Sequence, residues 1–351
     1  MATDAIWNHD SYRALRKVVR ENRIEVVHFQ NTFPIISPAA IHAAKAEGAA
    51  TVMSLRNYRL LCASSFLMRN GSPCELCVGE SVGWQGIRHS CYKGSQVASA
   101  AVVALNAVHH AIGTWRNKVD VFIALTEFAR SKLIDGGLPE ANIAVSGNFL
   151  APDPGPGPGT GKTFIFVGRL SEEKGIRTLI DAWDKCMTED WKLVIIGSGP
   201  EEGRVTAACA ADPSIEWLGQ CDSHEVVERV GEAAALIFPS QWYEGMPRTI
   251  IEAFSRGTPV LAFDLGAMRE MITPGRTGFL EEPGSIEQLS RRMREIIKKR
   301  DQAVAMRRYC REAYEEKYTE DVAYRRLKRI YDRARRTAEP EISVGQVQVS
   351  V

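Results

Sequence analysis

Residues 238–266 read FPSQWYEGMPRTIIEAFSRGTPVLAFDLG, and the fold of the chain is decided there. A short apolar run, 233–238, leads in and has the length and composition of a buried strand. A turn follows. A helix is expected to open near Met246-Pro247, because proline suits a first helical turn, where no N–H is needed. Gly257 closes that helix, and Thr258-Pro-Val-Leu-Ala-Phe starts the next buried strand. Helix N-termini carry unpaired N–H groups and a positive dipole end, so this one could hold a phosphate. Two carboxylates bracket it: Glu244 on the loop, and Glu252 eight residues later, about two turns into the expected helix.

The flanks repeat the same strand–helix alternation. Residues 9–22 show helical periodicity, 24–29 (IEVVHF) read as a buried strand, 38–47 as a helix and 51–55 as a strand. This order predicts an α/β protein with parallel sheets and right-handed crossovers. His28 lies at the polar end of its strand, where an open parallel sheet places its ligand crevice; a packed, hydrogen-bonded histidine is the alternative. The Ala/Val-rich run 95–112 reads as a helix buried between layers, and 119–125 as a strand with Thr126 capping the helix after it. Residues 143–146 give the last strand of a first domain, 1–150.

Composition then shifts. Residues 151–162 (APDPGPGPGTGK) form a Pro/Gly linker. Gly161-Lys162-Thr163 imitates the end of a P-loop, but Pro156 stands where its first glycine belongs, and the glycines precede a strand instead of following one. A second domain, 163–337, continues the series. Strand 164–167 leads into Gly168-Arg-Leu-Ser-Glu-Glu-Lys174-Gly175 and a helix over 176–183; strand 191–196 ends at Gly197-Ser-Gly199. Glycines there let backbone approach a ligand, although an ordinary tight turn uses them too. Helices are expected at 285–299 and, unbroken, at 304–335. The tail, 338–351, reads as disordered.

With 351 residues there is chain enough for two cores, and a net charge of +1 gives no reason to expect a nucleic-acid partner. No apolar run approaches the roughly 18 residues of a membrane span, and the N-terminus lacks an apolar signal core, so a cytoplasmic protein is expected. The eight cysteines are then expected as reduced thiols or ligands. Cys62, Cys74, Cys77 and Cys91 cluster in sequence over a Cys-rich insert, 62–91, with one CxxC. They could close a structural zinc site or remain free thiols; no catalytic metal is expected.

Residues 244–280, EGMPRTIIEAFSRGTPVLAFDLGAMREMITPGRTGFL, resemble the E-x7-E region of retaining GT-B glycosyltransferases, the group 1 enzymes of family 4. The resemblance implies two Rossmann-like domains facing a cleft, with the donor site on the second. It implies transfer of a sugar from a nucleoside diphosphate sugar to a saccharide or lipid-linked acceptor. Glu252 would bind the ribose hydroxyls and Glu244 would sit by the donor hexose. Backbone at Gly245 and Met246 would face the sugar and diphosphate, with Gly168, Gly197 and Gly199 nearby. Arg169 and Lys174, in a G-R-L-x-x-x-K-G pattern, would neutralise the leaving diphosphate, so no cofactor is expected. Arg56 stands where relatives carry histidine at the donor side; it can hold an anion but cannot act as a base.

The family's first strand and glycine-rich loop have no counterpart ahead of His9, so the first domain is expected to be truncated at its start. A nucleotide-sugar-binding protein without transferase activity is then one alternative, and an epimerase or hydrolase on the same fold another. Basic residues of the last helix, Arg325, Arg326, Lys328 and Arg329, suit either a solvated face or contact with the inner membrane surface.

Overall fold

The structure, a computed structural model, describes residues 2–186 and 190–338, with residues 2 and 3 as backbone only. The first half forms β1 (Val26–Phe29), β2 (Ala50–Leu55), a small hairpin of β3 (Met68–Arg69) and β4 (Ser72–Pro73), β5 (Val121–Ala124) and β6 (Ile143–Val145). The second forms β7 (Thr163–Val167), β8 (Lys192–Ile196), β9 (Ile215–Trp217), β10 (Ala235–Phe238), β11 (Val260–Phe263) and β12 (Gly278–Glu281). β1-β2-β5-β6 make one parallel sheet and β12-β11-β10-β7-β8-β9 another.

The apolar runs are continuous because both faces of each sheet are covered. In the second sheet Phe164, Phe166, Leu193, Ile195 and Ile237 point into one core. Their neighbours Ile165, Val194, Ile196, Leu236 and Phe238 point into the other. In the first sheet Met53 and Phe122 face one layer, while Val52 and Val121 face the last of the described helices.

That helix crosses between domains. The single helix expected over 304–335 is two, Arg300–Lys317 and Glu320–Ala338. The break has a structural cause: the Tyr318 carbonyl accepts the Leu150 N–H (3.0 Å), and Leu150 pairs with Thr319 as a parallel bridge. Arg300–Lys317 stays on the second domain, while Ile330 and Ala334 of Glu320–Ala338 pack on the first sheet. The expected disordered tail lies outside the described residues, except Ala338, which ends the helix.

Residues 151–162 run as a strap bonded to the second domain. The N–H groups of Gly157, Gly159 and Gly161 donate to Arg256, Gly231 and Glu232 carbonyls at 2.9–3.0 Å. A Cβ on Gly157 would lie 2.5 Å from Gly231 backbone, which explains the glycine. The helix expected between layers, observed as Gln96–Ala111, buries only one face, and Val97 is 82% exposed. Among the described residues no helix is long and apolar enough to cross a membrane.

Three histidines tie distant elements together. His28 Nδ1 meets the Tyr331 hydroxyl (2.9 Å) and its Nε2 meets Ser54 Oγ (2.8 Å), which joins the crossing helix to β1 and β2. His109 Nε2 donates to the Ile6 carbonyl (2.7 Å), so its Nδ1 accepts from the Thr114 hydroxyl, which in turn accepts from His42 Nε2. Burial holds all three pKa values below the ordinary histidine value; the Arg56 charge adds to this for His28, and His109 and Lys118 add to it for His42. A depressed folded pKa means stability that is present above about pH 6.5 and lost as the pH falls below it. The thermal midpoint should therefore drop by several degrees between about pH 7 and about pH 5.5, above the range of ordinary carboxylates. A midpoint that stays flat over that window contradicts this reading.

Candidate functional site

The strand order of the second, parallel sheet reverses between β7 and β10, the first strand of each half. Open α/β sheets place ligands outside the carboxyl ends of the strands at such a switch point. Gly168, Arg169 and Lys174 follow β7, and Ser240 to Glu244 follow β10, so these two loops share the crevice.

Glu244 is the centre of that crevice. It is 6% exposed, and its Oε1 accepts from Lys174 Nζ (2.6 Å), Ser240 Oγ (2.8 Å) and Trp242 Nε1 (2.9 Å). Oε2 makes no hydrogen bond among the described residues. Burying a carboxylate is costly unless a cation and hydrogen-bond donors meet it, and here both do. Lys174 also lies over the Phe238 and Trp242 rings, 5.7 and 5.6 Å from their centroids. With Lys174 committed to Glu244, the exposed Arg169 is left with no ion-pair partner among the described residues.

The helix after the loop is Arg248–Ser255, with Pro247 as its N-cap residue. It starts two residues later than expected, because Met246 is drawn to the first domain, so Glu252 lies little more than one turn in. Ile250, Ile251 and Phe254 bury one face. Glu252 is largely buried, and Arg248 lies 3.7 Å from its carboxylate. Burial raises its pKa above the ordinary carboxylate value, and Arg248 partly opposes that. A desolvated carboxylate whose oxygens accept no hydrogen bond among the described residues can take hydroxyl donors from a ligand.

The glycines serve backbone packing. A Cβ on Gly197, whose φ is +136°, would stand 1.9 Å from the Gly168 carbonyl oxygen, and one on Gly199 would stand 2.4 Å from that of Leu170. The close approach foreseen toward a ligand is thus first an approach of the β8 turn to the β7 turn, sealed by Gly168 N–H to Ile196 and Leu170 N–H to Ser198.

Gly245 and Met246 lie at the junction of the domains. A Cβ on Gly245 would come within 3.2 Å of the Arg56 carbonyl oxygen. The Met246 carbonyl accepts Asn148 Nδ2 (2.8 Å), and Asn148 Oδ1 accepts Arg56 Nη1 (2.9 Å). Arg56 Nε donates to Gln30 (3.1 Å), so this arginine bridges β1's end to the junction. His28 is set back from the Glu244 loop and occupied by Ser54 and Tyr331. Beside Arg56 the first domain opens a cavity of about 220 Å³, lined by Asn31, Met53, Asn57 and Asn106 among others.

Several residues of this geometry carried no sequence signal. Ser240 and Trp242, which hold Glu244, are ordinary loop residues until the loop is folded. Asn148 and Glu270 act across the domains: Glu270 Oε2 accepts the Glu127 N–H (2.8 Å) and its Oε1 accepts that of Phe128, capping a first-domain helix from the second domain. Ser240 and Trp242 lie within four residues of Glu244, so a search for donors beside the first glutamate could have found them; Glu270 had no such cue.

Residues 152–313 match the family described as Glycosyl transferases group 1, a stretch that holds every second-domain site residue named above. A phosphatidyl-myo-inositol mannosyltransferase of Mycobacterium leprae is 29% identical over 190 residues, 52% of this chain and 51% of its own. A lipopolysaccharide 1,6-galactosyltransferase of Salmonella typhimurium is 27% identical over 227 residues, 61% of this chain and 58% of its own. The chain thus spans about half the length of these curated relatives. The crystal structure of Anabaena HepE in complex with UDP superposes with a TM-score of 0.71 at 14% identity, covering 92% of this chain and 81% of that one. The second half of the chain thus resembles group 1 glycosyl transferases, and the fold is GT-B.

Because Gly197 is required by the Gly168 turn, Gly197→Ala should destabilise the protein without any ligand present, by about 2–3 kcal/mol for a clash combined with a left-handed backbone. Chemical denaturation checks this; an unchanged midpoint would mean that the turn is free to move.

Proposed function

We propose that this protein moves a glycosyl group from a nucleoside diphosphate sugar to a saccharide or lipid-linked acceptor, with retention at the anomeric carbon, in polysaccharide or glycoconjugate synthesis. The observation that carries the reading is Glu244, buried and ion-paired with Lys174 at the switch point, with Arg169 on the adjoining loop and Arg56 across the junction. Glu252 is the ribose ligand on this reading: its carboxylate accepts two vicinal hydroxyls and recovers the hydrogen bonds that burial denies it. Arg169 faces the diphosphate, and Lys174 shares its charge between Glu244 and the departing phosphate.

In the reaction the bond from the anomeric carbon to the phosphate oxygen breaks, and the acceptor oxygen bonds to the same face of that carbon. The acceptor proton passes to the leaving phosphate oxygen, so no protein base is needed. The charge that grows on the diphosphate is met by Arg169 in a crevice where fixed donors count for more than in water. Glu244 Oε2 is the oxygen left for a donor-sugar hydroxyl. The first-domain cavity beside Arg56 takes the acceptor. The relatives' names favour membrane-linked or saccharide acceptors, and a peripheral position at the inner membrane face follows from the former.

Calorimetry with UDP and GDP tests this. One of the two should bind, and Glu252→Ala should weaken it by about 10- to 100-fold, as expected for lost hydrogen bonds to a charged group. Hydroxyls bound to the carboxylate favour its charged form, so affinity should rise with pH through the raised Glu252 pKa, and that rise should vanish in Glu252→Gln. Binding unaffected by Glu252→Ala would refute the ribose assignment.

A further inference from the structure

The cysteines of segment 62–91 are free thiols, and among the described residues no three His, Cys, Asp or Glu side chains stand where they could hold a metal ion. What the segment does supply is an aromatic ring at the Glu244 loop. That loop belongs to the second domain, yet two of its rings are met by the first. Phe66 lies edge-on to Trp242, with centroids 4.9 Å apart and planes at 86°. Phe128 meets Tyr243 in a similar way, at 4.7 Å and 61°. Such pairs are directional, because the positive rim of one ring seeks the negative face of another. The two contacts differ in what lies behind them. Tyr243 and Phe128 pack on the first domain's core, whereas Trp242 donates through Nε1 to Glu244 Oε1 (2.9 Å). A first-domain side chain therefore rests on a group that holds Glu244.

Burial does not account for Phe66. It is 48% exposed, while Leu67 beside it is fully buried. Ser65 and Leu67, its two neighbours, have positive φ, +71° and +49°, which side chains rarely adopt. Such backbone persists only where the surroundings over-determine it. Here they do. Ser65 donates its N–H to the Cys62 carbonyl (2.9 Å) and accepts that of Tyr58 (3.1 Å), and the Leu67 carbonyl accepts the Cys74 N–H (2.7 Å). The Arg59 guanidinium bonds Ser65 Oγ (3.1 Å) and the Ala63 carbonyl, with its Cζ 5.0 Å from the Phe33 and Tyr92 ring centroids. The turn is fixed from several sides, and its one half-exposed large apolar ring is the one aimed at Trp242.

We propose that Phe66 is a positioning residue for Glu244: it holds the Trp242 indole where Nε1 reaches the carboxylate, so the first domain helps to aim a second-domain group. This rests on the reading of Glu244 as a donor-sugar ligand given above. Of the three donors to Oε1, Lys174 and Ser240 share the second domain with Glu244, and Trp242 is the one in ring contact across the junction. Without Phe66 the indole is free to turn, and Oε1 loses a donor. Lys174, 5.6 Å from the Trp242 centroid, then keeps only the Phe238 ring of its two cation–π partners. The nucleotide's ligands stand on other elements, Glu252 on the helix Arg248–Ser255 and Arg169 after β7, so nucleotide affinity should not follow.

The full chain, isotopically labelled at its indole nitrogens, has seven tryptophans, and Trp242→Phe identifies the N–H signal of Trp242. That signal should shift in Glu244→Gln. Its proton should exchange with water about 3- to 10-fold faster in Phe66→Ala, the size of one aromatic contact. Phe66→Tyr, which keeps the ring, should restore slow exchange, and Phe66→Leu should not; a merely structural role would move many indole signals together. If Phe66→Ala fails to fold, Phe66→Leu against Phe66→Tyr carries the comparison. Calorimetry should find UDP or GDP bound to Phe66→Ala within about twofold of the unaltered protein. A Trp242 signal that ignores Glu244→Gln or Phe66→Ala overturns the positioning, as does loss as full in Phe66→Tyr, or a nucleotide affinity that falls with it. Failure of both nucleotides to bind the unaltered protein refutes the nucleotide reading instead, and the indole signal then decides the role of Phe66 alone.

Discussion

Everything in this molecule depends on two chain segments crossing side by side between the domains. Leu150 leaves the first sheet where Tyr318 and Thr319 return to it, and the Leu150 N–H to Tyr318 bond, with the Tyr314 hydroxyl on the Leu150 carbonyl (3.1 Å), ties the strands together. The returning helix then covers the face of β2 and β5 through Ile330 and Ala334. Without it, Val52 and Val121 would meet water, at about 25 cal/mol per Å² of apolar surface. The first domain is therefore completed by the helix Glu320–Ala338, and the spacing of the domains follows from where the two crossings pair.

That constraint sets the cleft. The loop after β10 is caught between the strand ends of the second sheet and the Arg56–Asn148 edge of the first. Glu244 sits low in it because Lys174, Ser240 and Trp242 supply three donors to one oxygen. Removing one partner of such a buried pair is far more damaging than the pair is stabilising, since an uncompensated charge remains. The arrangement is best understood as positioning at a small net gain in stability, with the second oxygen taking no hydrogen bond among the described residues. Glu270, which caps the helix at Glu127 and Phe128, holds the opposite side of the junction with a charge-assisted contact.

Much of the fold was legible in the sequence. Short apolar strands, three to six residues long in the two parallel sheets, left little room for another class, and Thr126, Ser95 and Pro247 marked helix starts within two residues. The misses have physical causes. Tyr318 lies inside an unbroken helical pattern, and only the demand of Leu150, far away in sequence, ends that helix. Residues 151–162 read as a Pro/Gly linker because nothing local reveals that Gly157 must pass against Gly231. Around the cleft, the glutamates could be placed on a loop and a helix, but that Lys174 pairs with Glu244, 70 residues distant, depends on the order of strands in the sheet. Glycine pairs such as Gly197 and Gly199 look the same whether they serve a ligand or a neighbouring turn.

The central claim is that a nucleotide lies on the second domain with its ribose at Glu252 and its diphosphate toward Arg169. A crystal structure of the chain grown with UDP, or with GDP if that is the nucleotide bound, examines it most directly. The account predicts density outside the carboxyl ends of β7 and β10, with both ribose hydroxyls within hydrogen-bond distance of Glu252 and a phosphate oxygen on Arg169. A nucleotide seated on the first domain, or one bound in the cleft with Glu252 untouched, would contradict it.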